Sequence, residues 1–287
     1  MEKQKKLEIK FLHDCLLIKN ILVIGDLHIG YEEQFHGKAI FPRAQLEEII
    51  EKLKEIFDYL EKEKIGVKKI VILGDVKHYF GEPTKVEWRE TLEFFDFLES
   101  KIFYKEKMHK KNAKTHNIIV IKGNHDNILK PILRKRNIKL KNYYCVKIKE
   151  GKENKKICFL HGNKLFKQCL DNQTAVLIFG HLHPAITLYD GYKNEKYKCF
   201  LRGGWKINMR LKRKLVYILP SFSSVSFGYD LNDIDNFSSS YSVNKGKFFV
   251  IPNKDLKNFG VIIYNNKEKK EYNFGFLKKL INKNIVR

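Results

Sequence analysis

Aspartate, asparagine and histidine residues recur in short motifs that directly follow apolar runs of this 287-residue chain. In chain order the motifs are Asp26-Leu27-His28, Gly74-Asp75, Gly123-Asn124-His125-Asp126, His161-Gly162 and Gly180-His181-Leu182-His183. Carboxylate oxygens, imidazole nitrogens and an amide oxygen form a mixed donor set that suits Mn, Fe or Zn better than Ca. The motifs therefore predict a transition-metal site.

Seven of these residues are candidate metal ligands, which is too many for a single ion. They are Asp26, His28, Asp75, Asn124, His161, His181 and His183. Two ions that share one carboxylate would accommodate all seven. Paired ions typically activate a water molecule and stabilise an in-line displacement at phosphorus. The residue types thus favour phosphoryl chemistry through a hydroxide that bridges two metals.

Each motif also has a structural interpretation. Asp-x-His and Gly-Asp are common in turns, where Asp accepts backbone hydrogen bonds, whereas Gly-His-x-His and Gly-Asn-His-Asp are more specific. Five motifs in one order, each at the end of a strand, make coincidence a poor explanation. In an extended segment, residues i and i+2 point the same way. We therefore expect Asp26 and His28 to hold one ion together.

The elements that must position these motifs alternate between strand and helix in the first half of the chain. Apolar runs predict strands at Ile21–Ile24, Ile70–Leu73 and Ile118–Ile121. Apolar residues at three- and four-residue spacing predict helices at Arg43–Lys64 and Val86–Phe103. This order predicts an α/β fold with parallel strands, whose carboxyl ends bring their ligands to one edge of the sheet.

The second half is β-rich. Short apolar or alternating runs predict strands at Ile157–Leu160, Ala175–Phe179, Ile186–Tyr189, Tyr197–Leu201 and Leu215–Leu219. Two mixed sheets packed together, with helices outside, would satisfy both halves. We expect one domain over residues 1–287, with a core from about 20 to 235 and a charged C-terminal extension.

The composition is that of a folded, basic protein. Apolar residues make up 43% of the chain, and 56 basic against 33 acidic residues give a net charge of +23. Such a charge favours polyanion binding, but only eight of the basic residues are arginine, and AT-rich codon usage also produces lysine. Among the basic segments, Lys206–Lys214 is the candidate for contacting phosphate.

Five cysteines, an odd number with no Cys-x-x-Cys pair, predict reduced thiols rather than disulfides or a zinc–thiolate site. The apolar stretch Phe11–Ile24 is interrupted by polar residues, so no membrane span is predicted. We expect a cytoplasmic protein without a membrane partner.

The five motifs resemble those of the calcineurin-like metallophosphoesterases, from Asp26 to His183. The resemblance implies a four-layer α-β-β-α sandwich of two mixed sheets, with a dinuclear metal site at the carboxyl ends of strands. It also implies that one ion takes Asp26, His28, Asp75 and His183, and that the other takes Asp75, Asn124, His161 and His181, with Asp75 as the bridge. Two divalent ions are expected, Mn first, with Fe, Zn or Ni as alternatives.

A closer resemblance is to the SbcD-related nucleases of DNA repair. Gly74-Asp75-Val76-Lys77-His78 carries His where many phosphatases of the family carry Asp. Gly30–Gly37, Pro42-Arg43 and Leu219–Asn232 look like the small archaeal SbcD-related and DNA-ligase-associated phosphoesterases. The chain leaves little room for the DNA-capping region of the large nucleases, which argues against processive duplex cleavage.

Three further residues are candidates for catalysis. His125 adjoins a ligand without being one, and is expected to stabilise the transition state or protonate the leaving oxygen. Asp126 is expected to orient that imidazole or stabilise its charge. His78 is expected to be a second imidazole near the substrate, with a supporting hydrogen-bonding role as the alternative.

Three functions are compatible with these residues. The first is a phosphodiesterase that acts on nucleic acid or a nucleotide-like diester, favoured by His78 and the basic charge. The second is a phosphomonoesterase or nucleotidase on the same site. The third is a scaffold that has lost catalysis, as in the retromer subunit of this family, and the intact ligand set with His125 argues against it.

Overall fold

The computed structural model describes residues 8–35, 44–106, 117–150, 153–235 and 248–285. The described strands are β1 (Ile9–Leu12), β2 (Cys15–Ile18), β3 (Ile21–Ile24), β4 (Lys69–Ile72), β5 (Ile118–Ile121), β6 (Lys139–Lys141), β7 (Tyr144–Glu150), β8 (Glu153–Leu160), β9 (Thr174–Phe179), β10 (Pro184–Tyr189), β11 (Asn194–Lys198), β12 (Phe200–Trp205), β13 (Lys214–Ile218), β14 (Tyr229–Asp230), β15 (Gly260–Asn265) and β16 (Lys270–Phe276).

Five α-helices lie in the described residues, together with 3-10 turns at Tyr31–Phe35, Lys167–Cys169 and Leu231–Asp233. The helices are α1 (Ala44–Lys62), α2 (Lys85–Glu106), α3 (Lys130–Arg134), α4 (Asn253–Leu256) and α5 (Leu277–Ile285). The two helices expected from apolar spacing are confirmed as α1 and α2. Pro42 and Arg43 lie outside the described residues.

The first sheet has six strands in the order β1-β2-β3-β4-β5-β6. Strands β3 to β6 run parallel, and β1, β2 and β3 form antiparallel pairs. The predicted parallel arrangement is thus confirmed for β3, β4 and β5. Their carboxyl ends lie at one edge, because α1 and α2 return the chain to the start of the next strand.

The second sheet has seven strands in the order β16-β15-β12-β13-β9-β8-β7, and β11-β10-β14 form a separate three-stranded sheet. The strand expected over Tyr197–Leu201 is divided between these two sheets: β11 pairs with β10, and β12 pairs with β13 and β15. The break falls at Cys199, whose N–H donates to the carbonyl oxygen of Pro184 at 3.0 Å.

Both ends of the described chain add strands to these sheets. β1 and β2 precede residue 20, while β15, β16 and α5 follow residue 235. All seven residues of β16 are exposed or half-buried, so no buried apolar face marks this strand within the charged tail.

Alternation along the strands divides the core into three buried clusters. In β3, Leu22 joins the cluster that packs against α1 and α2, whereas Val23 joins Phe159 and Ile178 between the two large sheets. A further cluster covers the other face of the second sheet, where Leu277 of α5 packs. The face-to-face contact brings the carboxyl ends of β3, β4 and β5 close to those of β8 and β9.

The basic segment Lys206–Lys214 is only partly exposed. Lys214, expected in a phosphate-contacting segment, is buried, and its Nζ donates to the carbonyl oxygens of Asp171 and Thr174 at 2.6 and 2.9 Å. Lys206, Arg210 and Lys212 are exposed.

No described helix combines the length and the apolar character that crossing a membrane requires.

Candidate metal centre

The two large sheets contribute side chains to one site at their carboxyl edges. Asp26 and His28 follow β3, Asp75 follows β4 and Asn124 follows β5, all in the first sheet. His161 follows β8, and His181 and His183 follow β9, in the second sheet. The site therefore spans the interface between the sheets.

The first cluster consists of Asp26, His28, Asp75 and His183, with one donor atom of each within 4.8 Å of the others. Nε2 of His183 lies 3.1 Å from Oδ1 of Asp26, and Nε2 of His28 lies 3.8 Å from Oδ2 of Asp75. Two carboxylates and two imidazoles thus converge, a donor set that a divalent transition metal accepts.

The second cluster consists of Asp75, His161 and His181, again within 4.8 Å of one another. Nε2 of His161 lies 3.3 Å from Oδ2 of Asp75 and 2.9 Å from Oδ1 of Asn124, which adjoins this cluster. Asp75 belongs to both clusters, so its carboxylate lies where a bridging ligand would be needed. The seven residues are brought together; their roles as ligands remain predictions.

Five of the clustered residues have left-handed backbone angles. The φ values are +56° at Asp26, +47° at His28, +48° at Asp75, +67° at His181 and +47° at His183. Such angles are uncommon for residues other than glycine, and they concentrate at functional sites. The extended geometry that we expected for Asp26 and His28 is therefore wrong, because each strand end turns sharply to aim its side chain.

Backbone hydrogen bonds hold these turns beyond the ends of β3 and β4. The N–H groups of Asp26 and His28 donate to the carbonyl oxygens of Gly74 and Asp75 at 3.0 and 2.9 Å. A Cβ at Gly180 would lie 2.6 Å from Oδ2 of Asp26, and a Cβ at Gly123 would overlap Oδ1 of Asp75. Glycine is required at both positions because the carboxylates occupy that space.

Main-chain carbonyl groups orient two of the histidine rings. Nδ1 of His161 donates to the carbonyl oxygen of Leu73, and Nε2 of His181 donates to that of Phe248, both at 2.8 Å. The second nitrogen of each ring is then left for a ligand, as is usual for histidines that bind metals.

Burial and the neighbouring carboxylates set the charge of the histidines. It lowers the pKa of His28 to about 3 and that of His181 to about 4, so both rings are neutral near pH 7. Burial opposes protonation of His161 as well, but the carboxylates of Asp75 and Asp26 outweigh it and raise its pKa to about 9. The carboxylates of Asp75 and Asp26 therefore stabilise positive charge in the space that they share with His161.

Asp26 and Asp75 are nearly inaccessible to water. Burial would raise the pKa of each, but His183 and His161 hold the pKa of Asp26 and of Asp75, respectively, below its ordinary value. Within the described part of the chain, their ion pairs involve histidines and no lysine or arginine. Oδ1 of Asp26 is buried, and Nε2 of His183 lies 3.1 Å from it. Buried anions with this donor set fit divalent cations.

His125 lies beside both clusters. Its Nδ1 donates to the carbonyl oxygen of His78, which leaves Nε2 available to a substrate, and its N–H donates to Oδ1 of Asp75 at 2.9 Å. Its ring centroid is 4.8 Å from that of His28. Nδ1 of His78 is 3.2 Å from Nδ1 of His28. His78 thus lies beside the site, and its carbonyl group holds the ring of His125.

Asp126 has a different environment from the one expected. Its carboxylate accepts the N–H groups of Gly123, Asp75 and Val76 at 2.9, 2.8 and 3.0 Å, and no described hydrogen bond joins it to the ring of His125. Burial and the charge of Asp75 raise its pKa to about 7. Asp126 therefore holds the turn that carries Asp75, and its role toward the imidazole of His125 stays a prediction.

Sequence reasoning missed the residues that support the turn at Asp26. Nε2 of Gln45 donates to the carbonyl oxygen of His28 at 2.8 Å and to Oγ of Ser223 at 3.0 Å. Oγ of Ser221 donates to the carbonyl oxygen of Asp26 at 2.7 Å. The one local signal was Gln45, an amide on the apolar face of α1. A buried amide needs hydrogen-bond partners, so this residue indicated a polar contact beneath the helix.

Two mixed sheets meet at a cluster of buried carboxylates and imidazoles, which form a candidate metal site in an α/β fold. A model of the calcineurin-like phosphoesterase family matches residues 19–202. The chain belongs to the calcineurin-like phosphoesterase family, and is therefore a hydrolase of phosphate esters.

Comparison with solved structures gives distant likenesses. The chain is similar to the nuclease MPE of Pseudomonas putida (16% identity, TM-score 0.47, 93% of this chain and 94% of that one). It is also similar to Yfce, a phosphoesterase from E. coli (12% identity, TM-score 0.37, 89% of this chain and 98% of that one). Among curated proteins, no relative of similar sequence was found.

Proposed function

We propose that the protein is a dinuclear-metal phosphodiesterase that acts on nucleic acid or on nucleotide-like diesters. The first ion would be held by the first cluster. The second would be held by the second cluster together with Asn124, and Asp75 would belong to both. The proposal includes the four-layer α-β-β-α arrangement, Mn²⁺ as the metal, kinship with the archaeal SbcD-related group, and a cytoplasmic location.

The observation that carries the proposal is the shared position of Asp75. Its carboxylate lies 3.3 Å from Nε2 of His161 and 3.8 Å from Nε2 of His28, which belong to different clusters and different sheets. A single-ion site would not need a second group of imidazoles beside the same carboxylate.

Metal ions bound there would supply an activated water molecule and neutralise charge on the phosphoryl oxygens. The chain's own groups would complete the site. His125, held through Nδ1 by the His78 carbonyl group, directs Nε2 toward a substrate and is suited to donate a proton to the leaving oxygen. His78, whose pKa is lowered to about 4 by burial and by His125, would remain neutral beside it.

The test is hydrolysis of bis-p-nitrophenyl phosphate by the metal-stripped protein, before and after Mn²⁺ is added. We expect turnover only with metal, and a loss of about 10²–10⁴-fold in kcat for His125→Ala. His13→Ala is the matched control, because His13 lines a separate cavity with Tyr59 and Tyr264.

p-Nitrophenyl phosphate, assayed in parallel, separates the alternatives. Turnover of the monoester but not the diester would replace the proposal with a phosphatase or nucleotidase. No turnover of either ester with Mn²⁺, Fe²⁺, Zn²⁺ or Ni²⁺, at full metal content, would favour a non-catalytic scaffold.

A further inference from the structure

Two strongly exposed phenylalanine rings flank the candidate metal centre. A cavity of about 370 Å³ is lined by His28, Asp75, His125 and Phe227, among others. The ring of Phe80 stacks on that of His125, with centroids 3.8 Å apart and an angle of 28°. Phe80 is 56% exposed and Phe227 is 72% exposed. Large apolar rings beside a polar cavity are typical of a ligand-binding surface.

The segment that carries Phe80 is held by two buried charged side chains. Oε1 of Glu87 accepts the N–H groups of His78 and Tyr79 at 2.8 and 2.9 Å. Nζ of Lys77 donates to the carbonyl oxygens of Tyr79 and Gly81. The backbone is thus fixed on both sides of Phe80, and a ligand that stacks on this ring meets a pre-organised surface, which lowers the entropic cost of binding.

The position of the rings restricts the ligand. Phe80 is in contact with His125, and His125 is one ring contact, 4.8 Å between centroids, from His28 of the first cluster. A group stacked on Phe80 is therefore adjacent to a phosphodiester at the clusters. In a nucleic acid strand the base is the planar group adjacent to each phosphodiester, and bases stack on aromatic rings whatever their sequence.

We propose that Phe80 and Phe227 form a stacking site for unpaired bases, and that the preferred substrate is therefore single-stranded nucleic acid. This inference rests on the proposed diesterase function and names its substrate class. Bases in a duplex are stacked on one another, so their faces are not available to Phe80 or Phe227. The net charge of +23 would attract the phosphates of either form, and only the rings would discriminate between them.

The test is equilibrium binding of two fluorescein-labelled strands to the full-length protein in EDTA at low ionic strength. One strand is an oligodeoxythymidylate, and the other is an abasic strand of equal length and charge. We expect the strand with bases to bind at least about fivefold more tightly. Phe80→Leu and Phe227→Leu should each reduce that ratio, while Tyr192→Leu, at a ring 97% exposed outside the cavity, should not.

Equal affinity for the two strands, or an undiminished ratio in both phenylalanine variants, would overturn the stacking site. With Mn²⁺, the ratio of kcat/KM for the strand with bases to kcat/KM for the abasic strand is expected to fall in the same variants. A blunt duplex should be a poorer substrate than the single strand with bases. Base-dependent binding without hydrolysis of any strand would leave the stacking site in place and remove the diesterase. Hydrolysis of both strands at equal kcat/KM would leave the diesterase in place and remove the stacking site.

Discussion

At the scale of single residues, the site depends on side chains that the backbone presents at unusual angles. Asp26, His28, Asp75, His181 and His183 all have positive φ, and the strain of each such residue, of order 1–3 kcal/mol, requires compensating contacts. Asp126 supplies three of these contacts, to the N–H groups of Gly123, Asp75 and Val76.

Asp75 and His183 should differ in their effect on metal content, because Asp75 belongs to both clusters and His183 to the first. After dialysis against Mn²⁺, we expect two ions per chain in the wild type, about one in His183→Ala and fewer than one in Asp75→Asn, measured by mass spectrometry of the metal. Unchanged circular dichroism would show that the variants fold. Two ions in Asp75→Asn would exclude the bridging role.

At the scale of elements, the hairpin β7–β8 carries a feature that contradicts the expectation of reduced thiols. Cys145 and Cys158 are direct partners in the β7–β8 register, and they form a disulfide. Sγ of Cys169 lies 3.7 Å from Sγ of Cys145. The odd number of cysteines gave no indication of the pair, because cross-strand register is set by the hairpin and not by the spacing of cysteines.

Reduction of this disulfide should destabilise the protein. The bond closes a loop with a sequence separation of 13, for which chain entropy gives a stabilisation of about 3 kcal/mol. We expect dithiothreitol to lower the unfolding midpoint in urea for the wild type and for Cys169→Ala, and to have no effect on a Cys145→Ala/Cys158→Ala double variant. An equal shift in all three proteins would contradict the disulfide.

At the scale of the whole molecule, the candidate metal centre lies between two sheets that also share a buried apolar cluster. Asp26, His28, Asp75 and Asn124 belong to the first sheet, whereas His161, His181 and His183 belong to the second. Ions held between them would stabilise the folded state alone, because the unfolded chain does not preserve this arrangement.

Removal of metal should therefore lower the melting temperature. A ligand present at 100 times its Kd contributes about 2.7 kcal/mol, which predicts a fall of roughly 5 °C or more when EDTA is added to the Mn²⁺-loaded protein. Calorimetry checks this, with Asp75→Asn as the control that should respond less. An unchanged melting temperature in the wild type would show that the sheets do not depend on the ions.

The sequence by itself determined the strands β3 and β5, the helices α1 and α2, and the seven residues that meet at the site. Apolar periodicity records which face of an element is buried, so these elements are local properties of the chain. The motifs were readable because parallel strands place their carboxyl ends at one edge.

Only the tertiary structure decided how those residues are aimed and supported. The hydrogen bond between Gln45 and Ser223 joins residues 178 positions apart, and the stacking of Phe80 on His125 joins two different loops. The left-handed turns and the contact of Asp126 with Asp75 likewise depend on segments that are distant in the chain, whereas the Cys145–Cys158 pair and the pairing of β15 with β16 depend on the register of a hairpin. No local pattern of residues specifies such contacts, because they arise when the sheets and loops pack together.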